Sequence, residues 1–200
     1  WVDRPTWFAR LGGLDNQEKL YHIDASGQPV KEPNYLHPAA LKAYQRLIAA
    51  YRDKFGKYKH FRGITLNEEH DPSFGSIRNG YDNATTALFE KETGIAIPGK
   101  TPRERADWLL KNVREQWIRW RCKKTAQFVR KLVETIRAGG HDDLTIQYWI
   151  PARYFLSGLE NWPKYDAGKA LLETGIDPAM LREIPGLQLV PSVRPDYWRH

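Results

Sequence analysis

Apolar positions along the chain recur with two different periods. From Pro38 onward, Leu41, Tyr44, Leu47, Ile48, Tyr51 and Phe55 return every three or four residues. That spacing gathers them on one face of a helix, opened by Pro38 and ended by Gly56. Asp82 or Asn83 can cap a second helix that runs to about Glu92 and closes at Gly94. Thr101-Pro102-Arg103-Glu104 is a stronger start, because Thr101 can accept from the amide three residues on while Glu104 reaches back. Helical spacing then continues through Leu109, Leu110, Val113, Trp117, Trp120, Phe128, Leu132 and Ile136 to Gly139-Gly140. As one rod it would be about 50 Å long at 1.5 Å per residue. That exceeds a barrel layer, so the helix is expected to bend or project. Two short helices are expected near the end, one capped by Asp166 and running to Glu173, one opened by Asp177-Pro178.

Between the helices the period drops to two. Residues 61–67, 144–150 and 187–190 read as strands, the second stopped by Pro151 and the third by Pro191. Residues 1–5 read as the end of a strand, and the rest of residues 1–36 shows neither period. Gly12-Gly13, Asp15-Asn16, Ser26-Gly27, Pro29 and Pro33 predict a long loop there, while Trp7, Phe8, Tyr21, His22 and Tyr35 argue against disorder.

Strand, helices, strand, helices, strand is the order of βαβ units and requires a parallel sheet. Neither a G-x-G-x-x-G turn nor a P-loop follows any of these strands, which disfavours a nucleotide-binding open sheet. The expectation is an α/β fold, a partial or complete (β/α)8 TIM barrel. Residues 1–200 would form a single domain, the central portion of that barrel. Gly63 is expected to let a helix approach the strand.

Composition changes this picture in a few places. The chain carries a formal net charge of +7, but its basic residues are mixed with acids. The densest cluster, residues 114–131, is interleaved with tryptophans and suits a basic interaction module. It carries no nucleic-acid motif, so no nucleic acid is expected as a partner. No apolar run is long enough to span a bilayer, so no membrane is expected either. The first residue is Trp1, which predicts a processed or excised chain, with secretion or a periplasmic site in keeping. Cys122 lies among Arg121, Lys123 and Lys124, whose charges favour a lowered pKa. With no base nearby in sequence, a structural thiol is expected. Eight Trp and ten Tyr supply core mass and, where exposed, flat platforms for sugars. Trp117 and Trp120 are assigned to the core of the long helix.

The densest chemistry follows the first of the three strands. Glu68, Glu69, His70 and Asp71 are consecutive, and barrel enzymes carry their catalytic groups after the C-terminal ends of strands. The stretch Gly63-Ile64-Thr65-Leu66-Asn67-Glu68 resembles the end of the fourth strand of retaining (β/α)8 glycoside hydrolases. Phe89-x-x-x-Thr93-Gly94, Trp108-Leu109 and Trp117-Ile118-x-Trp120-Arg121 look like the helical insertion of the β-galactosidase-like branch and its relatives. The resemblance covers roughly residues 60–150. It implies Glu68 as general acid/base, Asn67 on a sugar hydroxyl, and a nucleophile on a later strand outside this chain. Strand parity disagrees on the acid, since it places Thr65, Asn67 and Glu69 on the axis side and Ile64 and Leu66 on the helix side. A bulge would reverse this, so Glu68 and Glu69 both stand as catalytic candidates.

His70 joins them as a substrate contact. A metal site built from His70 and Asp71 is disfavoured, because consecutive residues rarely converge on one ion, and neither metal nor cofactor is expected. Trp149, Tyr154 and Trp198 are candidate sugar platforms, and Arg153 and Arg194 candidate ligands for a hydroxyl or a sugar carboxylate. Asp82 is read as a helix cap. The expected partner is a carbohydrate, hydrolysed by carboxylate acid/base catalysis. A non-catalytic carbohydrate-binding barrel is the alternative.

Overall fold

The computed structural model describes residues 21–66, 73–150 and 166–191. Its elements are β1 (Tyr21–Ile23), β2 (Pro29–Pro33), α1 (Pro38–Phe55), β3 (Gly63–Leu66), α2 (Asn83–Thr93), α3 (Pro102–Asn112), α4 (Arg114–Arg137), β4 (Thr145–Ile150), α5 (Ala167–Glu173), α6 (Pro178–Leu181) and β5 (Leu187–Pro191).

The helix starts follow their capping chemistry. The Asp82 carboxylate accepts from the Thr85 amide at 2.8 Å, and Gly94 ends α2 in the left-handed region at φ 72°. Thr101 and Glu104 form the reciprocal capping box on α3. The start of α1 was only partly foreseen. Pro38 is in place, and His37 caps it by accepting from the Ala39 amide at 3.2 Å.

The expected single long helix is two helices. Val113 leaves helical geometry at φ −140°, ψ 35°, between α3 and α4. The cause lies in two anchored arginines. Arg105 donates to the Tyr81 carbonyl at 2.7 and 3.1 Å, and Arg121 to the Ser76 carbonyl at 2.5 Å. On a straight helix these arginines would stand about 24 Å apart. Their acceptors belong to one compact loop, folded back so that the Asn79 amide donates to the Ser76 carbonyl at 3.2 Å. A break lets both anchors reach it.

Helix α4 is the axis of the core. Trp117, Trp120, Arg121, Thr125, Phe128, Val129, Leu132, Val133 and Ile136 form its buried face. Helix α1 packs along it through Ala40, Ala43, Tyr44 and Ile48, with Tyr44 edge-on to Phe128 at 5.4 Å. The buried face is therefore rotated from the expected one. Two small alanines allow close approach, Leu47 is half-buried, and Tyr51 is 45% exposed.

The expected loop before residue 36 contains an antiparallel hairpin, β1–β2. Its turn is held by Asp24, which accepts from the Ser26 amide and hydroxyl and from the Gln28 amide at 2.7–2.9 Å. The prolines that argued for a loop pair only in the register Tyr21↔Pro33 and Ile23↔Pro29, at the ends of short strands, where proline is tolerated.

Strands β3, β4 and β5 form a parallel sheet in sequential order. Right-handed crossovers between neighbours in that order keep their helices on one face, as in a barrel wall. The same sequential run of three also forms one half of a doubly wound sheet. Ile64, Leu66, Ile146, Tyr148, Leu187 and Leu189 belong to the helix-side core. Three strands in this arrangement are a segment of α/β architecture, and a closed eight-stranded barrel is not seen among the described residues.

Gly63 does not serve helix approach. Its φ is 143°, and a Cβ there would lie 1.8 Å from the Thr145 carbonyl oxygen on the neighbouring strand. Only glycine fits both constraints. Gly63→Ala is expected to destabilise the fold by at least about 2 kcal/mol, the scale of one strained backbone position, as read by urea unfolding. Arg121→Leu is expected to cost about 2–6 kcal/mol, because it strips the donor from two carbonyls at roughly 1–3 kcal/mol each. The same denaturation assay checks it.

Candidate functional site

The C-terminal edge of the parallel sheet is where the acid stretch begins. Leu66, the last described residue of β3, pairs with Tyr148, and Tyr148 pairs with Leu189. Asn67 and Trp149 follow Leu66 and Tyr148 directly in sequence. The acidic segment therefore begins in sequence one residue past the Leu66–Tyr148 pair, at the level where Trp149 continues β4. Side chains alternate as expected. Leu66 is buried on the helix side, and Thr65 is exposed on the opposite face.

Six residues, 67–72, separate Leu66 from Ser73 and lie outside the described residues, so Asn67, Glu68, Glu69 and His70 are not placed. Both ends of this segment are fixed. Leu66 sits in the sheet. On the far side Ser73 and Phe74 are buried, and the Phe74 amide donates to the Thr174 carbonyl at 2.9 Å. Asn79 ties the loop to itself through the Phe74 carbonyl at 2.8 Å. The amides of Gly80 and Tyr81 both donate to Ile23 of the hairpin, at 3.0 and 2.9 Å. Rigid ends restrict where a short segment can carry its functional groups.

Trp149 is the one candidate substrate residue within the described part. It is half-buried on β4, on the face that carries Gln147, opposite Val190 of β5. Its indole nitrogen is buried without a hydrogen-bond partner among the described residues. A buried donor left so is costly unless something accepts from it. Arg153, Tyr154, Arg194 and Trp198 lie outside the described residues.

On the same face, three in-register residues join across the strands. Thr65 Oγ1 donates to Gln147 Oε1 at 3.1 Å, and Gln147 Nε2 to Gln188 Oε1 at 3.3 Å. This ladder was not foreseen as part of a site. Its signal was the alternation in Thr145-Ile146-Gln147-Tyr148 and Leu187-Gln188-Leu189, which places both glutamines on the non-helix face. The ladder borders an open groove of about 450 Å³ that extends toward the N-terminal end of β3.

Asp82 is the cap expected of it, with an added partner. His22 is fully buried in β1, with its Nδ1 3.7 Å from Asp82 Oδ2 and its ring stacked on Phe74 at 4.8 Å. Nothing in the sequence links residues 60 positions apart, so this pair was missed. Burial pushes the Asp82 carboxyl upward. His22 and the Thr85 amide and hydroxyl outweigh burial and hold it below the ordinary value of 3.8. The pair locks the hairpin to the loop that follows the acid stretch.

Several other expectations resolve in favour of packing. Trp117 and Trp120 stack at 5.2 Å and are buried, as expected. Arg121 is fully buried within the basic cluster, Arg114 pairs with Glu173, and Lys124 pairs with Glu92 at 2.6 Å. The 114–131 stretch is therefore not one basic face. The Cys122 thiol is not activated by its cationic neighbours. Burial pushes its pKa up to about 12, so it is a structural thiol. Among the described residues no three His, Cys, Asp or Glu side chains converge as a metal site, and no helix is long and apolar enough to cross a membrane.

No protein-family model matches the chain, and no curated protein matches it in sequence. Among solved structures it is similar to the PgaB (BpsB) glycoside hydrolase domain from Bordetella bronchiseptica, with a TM-score of 0.50 at 15% identity. The match covers 82% of this chain and 42% of that one, so the chain spans less than half the length of its structural neighbour. At this identity the likeness speaks for the fold.

Asp82→Ala is expected to cost about 1–2 kcal/mol, the scale of a lost N-cap. A depressed carboxylate stabilises the fold above its unfolded pKa, and that share is lost as pH falls through the folded value. Wild-type stability should therefore fall as pH drops below 3.8, and the variant should lose less over the same range. Thermal unfolding between pH 2 and 6 measures both.

Proposed function

We propose that this chain forms part of a glycoside hydrolase barrel that cleaves O-glycosidic bonds of an oligo- or polysaccharide by carboxylate acid/base catalysis. One observation carries the reading. Leu66, which directly precedes the acid-rich segment in sequence, ends its strand at the C-terminal edge of a sequentially ordered parallel sheet, beside a strand whose next residue, Trp149, has a buried indole N–H without a partner among the described residues. This is the edge at which barrel enzymes carry catalysis. The glycoside hydrolase named above supports the same reading through its fold.

Glu68 or Glu69 supplies the general acid, with Asn67 and His70 beside it on sugar hydroxyls. Trp149, Tyr154 and Trp198 form the stacking surfaces, and Arg153 and Arg194 bind a hydroxyl or a sugar carboxylate. A raised pKa from burial or from the adjacent carboxylate keeps the acid protonated near neutrality. The second carboxylate required by either stereochemical outcome is assigned to a later strand of the barrel. Residues 1–200 act as one domain, the central part of that barrel. The β-galactosidase-like branch rests on sequence motif alone. Phe89, Trp117 and Trp120 of that motif pack against one another in the core, so a packing role suffices for them.

Glu68→Gln and Glu69→Gln, made separately in the protein that carries this chain, distinguish the claimants. The true acid should lose about 10²–10⁴-fold in kcat, the range for general acid catalysis, and the other much less. Release of reducing ends from a panel of neutral and acidic polysaccharides is the readout. Binding without hydrolysis in the unsubstituted protein would favour the non-catalytic carbohydrate-binding barrel instead.

A further inference from the structure

A second surface lies at the opposite end of β3 from the acid stretch. The last turns of α1 and the link to β3 carry four aromatic rings in series. Tyr51 stacks on Phe55 at 5.8 Å, and Phe55 meets Tyr58 at 6.4 Å and Phe61 at 5.9 Å. Two of these rings face solvent, Tyr51 at 45% and Tyr58 at 57% exposure, and they are the large hydrophobic side chains that stand exposed among the described residues. Phe61 continues the ridge into the open groove, whose wall also includes His60, Arg62, Asp143, Thr145, Gln147 and Gln188.

The charge around this ridge is predominantly positive, with Asp53 and Asp143 as the carboxylates beside it. Arg52 is bound to Asp53 and to the Thr135 carbonyl, so those two charges are matched. Lys54, Lys57 and Lys59 remain exposed without a carboxylate partner among the described residues. Lys54 lies over the Phe55 ring at 5.5 Å and Lys57 over Tyr58 at 5.4 Å. Arg62 shares its charge with Asp143 at 3.6 Å, in water on both sides, which leaves the pair open to exchange. Exposed tyrosines beside cations, leading into an amide- and hydroxyl-lined groove, match a ligand that is flat, hydroxylated and anionic.

We propose that this ridge and groove form a second glycan-binding surface, specific for acidic polysaccharide chains. Sugar rings stack on Tyr51 and Tyr58, and their carboxylates meet Lys54, Lys57 and Lys59. The surface is separate from the acid stretch and requires no catalysis, so it stands or falls independently of the hydrolase reading.

Polygalacturonate and alginate are the probes, with fully methyl-esterified polygalacturonate as the uncharged control, and binding is measured by affinity electrophoresis and calorimetry on the intact protein. At least one acidic polymer should bind, the ester should bind at least about tenfold more weakly, and affinity should fall with added salt. Tyr58→Ala and the double substitution Lys57→Ala with Lys59→Ala should each weaken binding about fivefold or more. Both sites are exposed, so the melting temperature should hold. Failure to bind either acidic polymer, equal affinity for the ester, or indifference to the substitutions would overturn the proposal. Tighter binding of oligo(dT) than of the acidic glycans at the same salt would overturn it in favour of single-stranded nucleic acid.

Discussion

A buried guanidinium holds this structure together. Arg121 is fully buried in α4, its charge 4.2 Å from the centre of the Phe74 ring. No carboxylate is hydrogen-bonded to it among the described residues. Its two terminal nitrogens donate instead to the carbonyls of Ser76 and Glu173, one in the loop after the acid stretch and one at the end of α5, while Nε is buried without a partner among the described residues. Burial lowers its pKa to about 10, which still leaves it charged at neutrality. A charge in that position is tolerable only while both carbonyls and the aromatic face stay in place. The loop, α4 and α5 are therefore fixed relative to one another by one side chain.

That constraint reaches the candidate site through the chain itself. The loop pinned by Arg121 and Arg105 begins at Ser73, and Ser73 closes the segment that starts after Leu66. The His22–Asp82 pair and the Ile23 carbonyl pin the loop again from the hairpin side. Polar groups buried in the core thus do positioning that apolar packing alone leaves loose, because hydrogen bonds to particular carbonyls fix direction as well as contact. The two faces of the sheet divide the remaining tasks. The helix side carries Ile146 and Tyr148 into the core, while Thr65, Gln147 and Gln188 leave hydrogen-bonding groups on the other.

The aromatic residues show where sequence reading reaches its limit. Eight tryptophans and ten tyrosines suggest stacking surfaces for sugars. Trp117, Trp120, Phe89, Phe74 and Tyr81 instead form a ring-on-ring core around α4. Tyr51 and Tyr58, which periodicity had given to a core face or left unremarked, are the exposed ones. Helical spacing says which residues share a face. It does not say how that face is rotated, and small residues such as Ala40 and Ala43 draw a neighbouring helix as strongly as large ones by permitting close approach.

Local chemistry is what the sequence determined by itself. The caps of Asp82, Thr101, Asp166 and Asp177, the stop at Gly94 and the alternation along the three strands depend on residues within a few positions of each other, and all were legible. The tertiary structure alone decided the break at Val113, the hairpin before Asn34, the burial of Arg121, the partnership of His22 with Asp82 and the reason for Gly63. Each depends on an atom far away in sequence. Val113 yields because two arginines seek one loop, and Gly63 is required because the Thr145 carbonyl lies across the sheet from it. The acid stretch belongs to both accounts. Its composition marked it as the chemical centre, and the fold set Leu66 before it in a parallel sheet and Ser73 after it in the loop pinned to α4 and α5.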